Sequence, residues 1–181
     1  MSTLFVNNIK HTGGTSAMTI DSSGRILQQS RPSFHIAGLS SDFTISSGSD
    51  HTIEFSNVVY NDGSHWDTST YQFNVPVDGL YHFCSAVRVD AIDSGCQYYR
   101  LGVRVTQGTG SSLTPSDFWD LFDPEGFDTD ISYMTFQLSR TVKLTAGNIV
   151  KSTIRQQSGT TNHAHIDASQ TYTQFSGYLV G

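Results

Sequence analysis

The sequence predicts an all-β protein, a sandwich or jelly roll of short strands joined by turns. Large apolar residues recur on alternate positions in about eight segments, which is the period of an extended strand. The 181 residues include 16 glycines and only 14% are charged, a composition typical of turn-rich β-proteins. Residues 116–127 come nearest to a helix, but Pro115, Pro124 and Gly126 interrupt them. A loop with at most one helical turn is therefore expected there.

The strand pattern is most regular between residues 53 and 83. Large side chains alternate as far as Pro76, where the run must end or lie at a sheet edge, because proline has no N–H to donate. Asp78-Gly79 is a dipeptide typical of turns, and the alternation of large side chains resumes after it. The final strand is apolar on both faces, which favours a place inside a sheet or at a subunit contact. Strands are predicted at residues 34–39, 52–59, 70–77, 80–90, 98–106, 133–144, 148–155 and 171–180.

Two parts with different apolar content follow one another along the chain. Residues 1–32 hold short strand patterns separated by turns, with too few large apolar side chains to close a core alone. Residues 33–181 carry the dense alternation and are predicted to form one head domain of ordinary size. The first part is therefore expected to be ordered only against a partner chain or a scaffold.

The charge distribution bears on the kind of partner. The formal net charge is −6, and six carboxylates lie within residues 117–130 with no basic residue among them. The remainder of the chain balances ten acidic against ten basic residues. The sequence therefore predicts no basic face for nucleic acid.

Neither a membrane span nor a secretory signal is visible near the amino terminus, where Leu4-Phe5-Val6 is the longest apolar run of residues 1–14. No membrane insertion is expected. Two cysteines, Cys84 and Cys96, are too few for a disulfide framework. They are expected to be free thiols, although a pairing across a hairpin stays open.

Three motifs, in order, resemble the globular head of the complement C1q family. They are Ile53-Glu54-Phe55 with the Tyr60-Asn61-Asp62-Gly63, Trp66-Asp67 and Phe73-to-Phe83 runs, residues 142–150, and Phe175-Ser176-Gly177-Tyr178-Leu179-Val180. The resemblance covers about residues 34–181. It implies a jelly roll of about ten antiparallel strands, of the tumour-necrosis-factor-like kind, that assembles as a compact homotrimer with both termini near one end. Burial within the head or at its threefold contact is expected for Phe34, Phe73, Tyr81, Phe83 and Phe175.

A second resemblance concerns residues 1–32. The chain has no Gly-X-Y repeats, so the collagen stalk of the animal C1q proteins is missing. Residues 6–15 and 18–25 instead are similar to short amino-terminal segments of tailed-bacteriophage fibre and virion proteins. This similarity implies an anchor that binds other virion proteins, and it fits the lack of a visible secretory signal, because phage particles leave the host by lysis.

Metal binding has two candidate positions. His163, His165 and Asp167 alternate, so in an extended chain they project from one face. At a trimer axis, six imidazoles would suit one transition metal, whereas the alternative is an exposed polar loop with two histidines. The acidic residues 117–130 are a candidate for calcium, although their spacing differs from that of the helix-loop-helix calcium loop. No other cofactor is expected.

Aromatic side chains in predicted loops are the candidates for ligand contact. Either they pack on their own domain or they present rings to a neighbouring subunit or a receptor. They are Trp66, Phe118, Trp119, Phe122 and Phe127.

The expected function is that of a non-enzymatic structural protein in a tailed-phage virion. A trimeric tail-fibre-type head would attach to glycans or proteins of the host surface, with avidity from three copies. It would be made in the host cytoplasm and reside in the virion. Two alternatives stay open: a capsid or tail decoration protein without a receptor role, and a secreted lectin-like binding protein. No arrangement of nucleophile and base, and no phosphate loop, favours an enzyme.

Overall fold

A computed structural model describes residues 6–14, 16–27, 31–107, 112–158 and 165–181. The first three strands, β1 (Asn8–Lys10), β2 (Ser16–Ile20) and β3 (Ile26–Leu27), form a small antiparallel sheet of their own. Asp21 closes the β2–β3 turn, since its Oδ1 accepts hydrogen bonds from the backbone N–H groups of Ser23 and Arg25, both at 2.9 Å. Most side chains of this sheet are exposed.

Thirteen further strands build the head. They are β4 (Ser33–Leu39), β5 (Phe43–Thr44), β6 (His51–Thr52), β7 (Phe55–Asp62), β8 (Trp66–Asp67), β9 (Gln72–Asn74), β10 (Gly79–Ile92), β11 (Cys96–Gln107), β12 (Ser112–Phe122), β13 (Ile131–Leu144), β14 (Asn148–Ser158), β15 (His165–Ile166) and β16 (Gln174–Leu179). Among the described residues, no helix long and apolar enough to span a membrane is present.

The head strands form two antiparallel sheets that face each other. In the seven-stranded sheet the principal order is β7-β4-β16-β10-β13, with β15 and β5 beside the far end of β10. In the six-stranded sheet the principal order is β12-β11-β14-β9-β8, with β6 beside β14. Five principal strands in each sheet confirm the predicted sandwich of about ten antiparallel strands. Along its principal strands the chain changes sheet after β7, β9, β10, β12, β13 and β14, which is the connectivity of a jelly roll.

Aromatic rings fill the space between the sheets. Phe34, Phe73, Tyr81, Phe83 and Phe175 are all completely buried, as the sequence predicts. The Phe34 ring centroid lies 4.8 Å from that of Phe73 and 5.1 Å from that of Phe175, within the range of favourable ring contacts. The strand that carries Phe175, β16, lies between β10 and β4, which confirms the predicted position inside a sheet.

One sequence prediction is wrong: residues 112–122 are a strand and not a loop. Among the described strands, β12 pairs with β11 alone and forms an edge of the six-stranded sheet. Proline is tolerated on an edge strand, because the missing N–H can face the unpaired side, so Pro115 does not break it. The irregular segment begins only after Phe122, at residues 123–130.

The two cysteines do not form a disulfide, which confirms the expectation of free thiols. The Cys84 side chain is exposed, whereas the Cys96 side chain is buried. The Cys96 thiol contacts the carbonyl oxygens of Tyr98 and Gln157, at 3.3 and 3.1 Å. Burial raises the pKa of this thiol, so Cys96 is a small core residue and not a reactive group.

The close contact at Gly177 gives a test of the core. A Cβ at this position would lie 2.5 Å from Phe83 Cδ1 and 2.8 Å from Phe34 Cε1. We expect Gly177→Ala to lower the free energy of unfolding by about 1–3 kcal/mol, because the two rings must move out of a filled core. Urea denaturation measures this difference. Gly126→Ala is the matched control, since its Cβ would meet nothing within 4 Å, and equal losses in both variants would contradict the packing described.

Candidate functional site

The outer face of the six-stranded sheet concentrates charged side chains. Along β11, Leu101 and Val103 point into the core, so their neighbours Arg100 and Arg104 point outward. The register extends this outer face to the strands on both sides of β11. We call it the cationic face and define it by Arg100, Gly102 and Arg104 of β11, Lys151, Thr153 and Arg155 of β14, and Asp117, Trp119 and Leu121 of β12.

Like charges oppose each other directly across the β11–β14 ladder. Arg100 is the partner of Arg155, and Arg104 is the partner of Lys151. Directly opposed side chains of an antiparallel pair have Cβ atoms about 4.5–5.5 Å apart, and like charges at this separation destabilise the sheet. The face therefore needs anions nearby.

Asp50 supplies one such anion. Its carboxylate accepts hydrogen bonds from Arg100 Nη2 at 2.5 Å and from Arg104 Nη2 at 2.7 Å. Gly102 lies between the two arginines on the same face and is buried, with the Thr153 side chain beside it. A Cβ there would lie 2.8 Å from Thr153 Oγ1. Asp50 therefore bridges two cations that are four residues apart on one strand.

Asp117 supplies the second anion. Its two carboxylate oxygens accept hydrogen bonds from Arg104 Nε at 2.7 Å and Nη2 at 3.2 Å, a bidentate geometry. This contact raises the pKa of Arg104. Burial acts to raise the pKa of the Asp50 carboxyl, but hydrogen bonds and charge attraction from Arg104 and Arg100 outweigh it. The Asp50 pKa consequently lies below its ordinary value of 3.8.

The cations of β14 lack such partners. Arg155 Nη2 donates to the neutral Gln157 Oε1 at 2.6 Å, and its buried Nε has no hydrogen-bond partner among the described residues. Within the described part of the chain, neither Arg155 nor Lys151 forms an ion pair. Four cations thus face two carboxylates, so this surface carries an excess of positive charge that the overall composition does not reveal.

An exposed indole completes the face. Trp119 is 45% exposed, and the Arg100 guanidinium carbon lies 5.4 Å from its ring centroid, within the range of a cation–π contact. Leu121, next to it on the same side of β12, is 51% exposed. A flat apolar surface therefore adjoins the row of guanidinium groups.

The structure separates the other aromatic candidates from Trp119. Phe118 and Phe122 point toward the core and are half-buried, and Phe127, which is exposed, lies with its ring centroid 5.9 Å from that of Phe122. Trp66 is only 4% exposed and packs 5.2 Å from Phe34. The expectation that Trp66 is a loop residue available to a ligand is therefore wrong.

The negative charge of residues 117–130 is partly compensated by basic residues outside this segment, contrary to expectation. Asp117 pairs with Arg104, and Asp120 accepts a hydrogen bond from Arg140 Nη2 at 2.6 Å. Asp130 Oδ1 accepts hydrogen bonds from both the backbone and the hydroxyl of Ser94, at 2.9 Å. The bases come from β11 and β13, so no pattern within residues 117–130 reveals them.

The histidine candidates are only partly described. His163 lies outside the described residues, and His165 is half-buried with its Nδ1 3.1 Å from Thr44 Oγ1. In the described ranges, no three His, Cys, Asp or Glu side chains are grouped as ligands for a metal ion.

The outer face of the seven-stranded sheet has a different character. His82 lies 5.4 Å from Tyr178, and His35 lies 5.9 Å from Tyr60, measured between ring centroids. The Arg88 guanidinium carbon lies 4.4 and 4.9 Å from the ring centroids of Tyr133 and Tyr172. We call this surface the tyrosine face and define it by His35, Tyr60, His82, Cys84, Arg88, Tyr133, Tyr172 and Tyr178.

The tyrosine face is exposed and mostly uncharged. Tyr133 is 62% exposed, and Tyr60, Tyr172 and Tyr178 are each 44–46% exposed. Both ring nitrogens of His82 face hydroxyl groups, those of Thr141 at 2.9 Å and Ser139 at 3.2 Å. Exposed aromatic rings of this kind are enriched at the centres of protein interfaces.

The Asp50 bridge predicts a pH dependence. The folded-state pKa of Asp50 is depressed, so its ion pairs contribute stability above pH 3.8, and this contribution is lost as pH falls through the folded-state value. We expect Asp50→Asn to lower the melting temperature at pH 7 and to flatten its decline between about pH 5 and pH 2. Asp128→Asn, an exposed carboxylate outside the network, is the control. If the melting temperatures of Asp50→Asn and the parent protein fall equally as the pH is lowered, this role is contradicted.

Comparison with known proteins agrees with the fold. Residues 35–110 match the family model described as C1q domain. The globular domain of zebrafish complement 1qA superposes with a TM-score of 0.54 at 15% identity, covering 83% of this chain and 98% of that chain. Murine APRIL superposes with a TM-score of 0.59 at 12% identity, covering 83% and 99%. No curated protein sequence matches the chain significantly. Residues 35–110 are therefore similar to a C1q domain, and the chain shares the fold of the complement 1q globular domain and of APRIL.

Proposed function

We propose that this protein is a trimeric binding head of a tailed-phage virion. The tyrosine face forms the contact between three copies, and the cationic face of each copy points outward toward the host surface. Residues 1–32 attach the head to other virion proteins. The main support for this proposal is the exposed tyrosine face, because a surface with this many exposed aromatic rings is typical of a protein interface.

The composition of the tyrosine face supports a contact between subunits. Aromatic residues are enriched and charged residues are depleted at the centres of protein interfaces. The middle of this face, around Cys84, is bordered by Ser139 on β13 and Ser176 on β16. Arg88, its main charge, is already paired with Asp90 and Asp167, at 2.7 and 3.4 Å. Burial of this face would therefore leave few unpaired charges.

A trimer with this orientation presents three equivalent ligand surfaces. The two faces lie on opposite sides of the sandwich, so contacts through the tyrosine face leave the cationic face of every copy accessible. Three weak contacts on one rigid body gain affinity from effective concentration. This arrangement suits attachment to a surface that repeats the same ligand.

The small amino-terminal sheet supports the anchor. β1, β2 and β3 pair only with one another in the described part of the chain. Ile9 is 49% exposed and Ile26 is 60% exposed, and a small sheet that buries so little apolar surface is marginally stable alone. The resemblance of residues 6–15 and 18–25 to virion-protein segments makes a phage fibre or particle the partner that we propose.

The trimer is tested at Cys84, which lies near the middle of the tyrosine face. We expect the parent protein to sediment as a trimer at micromolar concentration and Cys84→Asp to sediment as a folded monomer. A carboxylate buried there without a cation costs about 3–5 kcal/mol. Trp119→Asp makes a similar change on the cationic face and should leave the trimer intact. A parent protein that sediments as a monomer would refute the assembly.

The anchor is tested by deletion of residues 1–30, which keeps the hydrogen bond from Arg31 to the Val180 carbonyl. The shortened head should keep its melting temperature, because the described strands of this segment do not pair with the head, and should be absent from phage particles assembled in its presence. Quantitative mass spectrometry of purified particles measures incorporation. Particles that contain the shortened head at normal copy number would exclude the anchor role. A copy number of hundreds for the full chain would favour a decoration protein.

A further inference from the structure

The cationic face has more positive charges than carboxylates to pair with them. It places four of the ten basic residues of the chain on one surface, although the formal net charge is −6. Asp50 and Asp117 compensate Arg100 and Arg104. Arg155 and Lys151 keep their charge without a described ion-pair partner, and each lies directly opposite another cation. A ligand with two anionic groups would relieve both like-charge pairs.

The dimensions of the face limit the size of the ligand. From Trp119 on β12 to Thr153 on β14 the face spans two inter-strand spacings, about 10 Å, and from Arg100 to Arg104 about 13 Å. One or two six-membered rings fit this area. Trp119 offers its indole at one side, while Lys151 and Arg155 lie on the other, so a ring and an anionic group are received at separate places.

The mixture of donors and acceptors indicates the chemistry of that ligand. Guanidinium and ammonium groups are donors only, whereas the carboxylates of Asp50 and Asp117 are acceptors only. A sugar supplies hydroxyl groups that can donate to these carboxylates, and its C–H face can lie on an indole. A nucleic-acid backbone has phosphates but few donors, and it would be repelled by the two carboxylates and the negative net charge.

We infer that the cationic face binds an anionic saccharide, a short glycan segment with carboxylate or sulfate groups. One anionic group lies at the Arg100–Arg155 pair and a second near Lys151, and a sugar ring stacks on Trp119. Asp50 and Asp117 orient the guanidinium groups and accept hydrogen bonds from sugar hydroxyls. This inference deepens the proposed function, on which it rests, by naming the class of surface ligand.

The test uses defined oligosaccharides with the full-length protein. Isothermal titration measures the binding of a galacturonate hexamer, which carries carboxylates, a heparin hexasaccharide, which carries carboxylates and sulfates, and neutral cellohexaose. We expect at least one anionic probe to bind and cellohexaose not to bind. The affinity should fall with added salt, as charge attraction is screened. The two anionic probes distinguish carboxylate from sulfate recognition.

Three variants connect the binding to the face. The double substitution K151Q/R155Q and the single substitution W119A should each weaken binding about tenfold or more, since a charged hydrogen bond or a stacked ring is lost. K143Q removes a charge from the other sheet and should bind like the parent protein. K151Q/R155Q should melt at or above the parent temperature, because it removes the like-charge pairs. A loss of binding in this variant then cannot be attributed to unfolding.

Several outcomes would overturn the inference. One is that neither anionic probe binds to a protein that sediments as a trimer, which contradicts the ligand and leaves the assembly intact. Another is that a single-stranded DNA hexamer binds as tightly as the sugars, which makes the ligand a nucleic acid. A third is that K151Q/R155Q alters the oligomeric state, which would make the cationic face a contact between copies. Sedimentation in parallel with each titration separates these results from a failure of the trimer itself.

Discussion

Packing of the Phe34 ring fixes how the two sheets face each other. Phe34 belongs to the seven-stranded sheet, and its ring contacts those of Phe73 and Trp66 in the six-stranded sheet, with centroids 4.8 and 5.2 Å away. The absence of a side chain at Gly177 lets the rings of Phe34 and Phe83 approach the β16 backbone. Because side chains alternate along each strand, this inner packing also decides which residues point outward. Both outer faces are therefore consequences of the aromatic core.

The two outer faces differ in the interactions that they offer. The tyrosine face carries rings and hydroxyl groups with little net charge, a composition suited to another protein surface. The cationic face carries guanidinium groups held in place by Asp50 and Asp117, beside an exposed indole. Besides their contribution to stability, these ion pairs fix the direction of the guanidinium donors. A sandwich lets one chain keep these two surfaces on opposite sides.

Sequence patterns predict the features of the fold that depend on alternation within a single strand. The aromatic residues from Phe73 to Phe83 identified the core and, through the C1q resemblance, the jelly roll. The prediction for Trp66 is wrong, because Asn61 exchanges hydrogen bonds with the Trp66 backbone at 3.0 and 3.1 Å and the tight turn directs the indole inward. The cationic face depends on the register between β11 and β14. Alternation shows that Arg100 and Arg104 share a side, but no single strand reveals that Arg155 and Lys151 lie opposite them.

The entry of the chain into the head has a mechanical consequence. Pro32 accepts a hydrogen bond from the Leu179 backbone N–H at 3.0 Å, and Arg31 donates to the Val180 carbonyl. The next segment, β4, lies between β16 and β7 and is hydrogen-bonded to both. A tensile force applied at residue 31 therefore acts along a strand that is held on two sides. Two ladders would have to shear together before the strand could leave, whereas an edge strand could be peeled away one bond at a time.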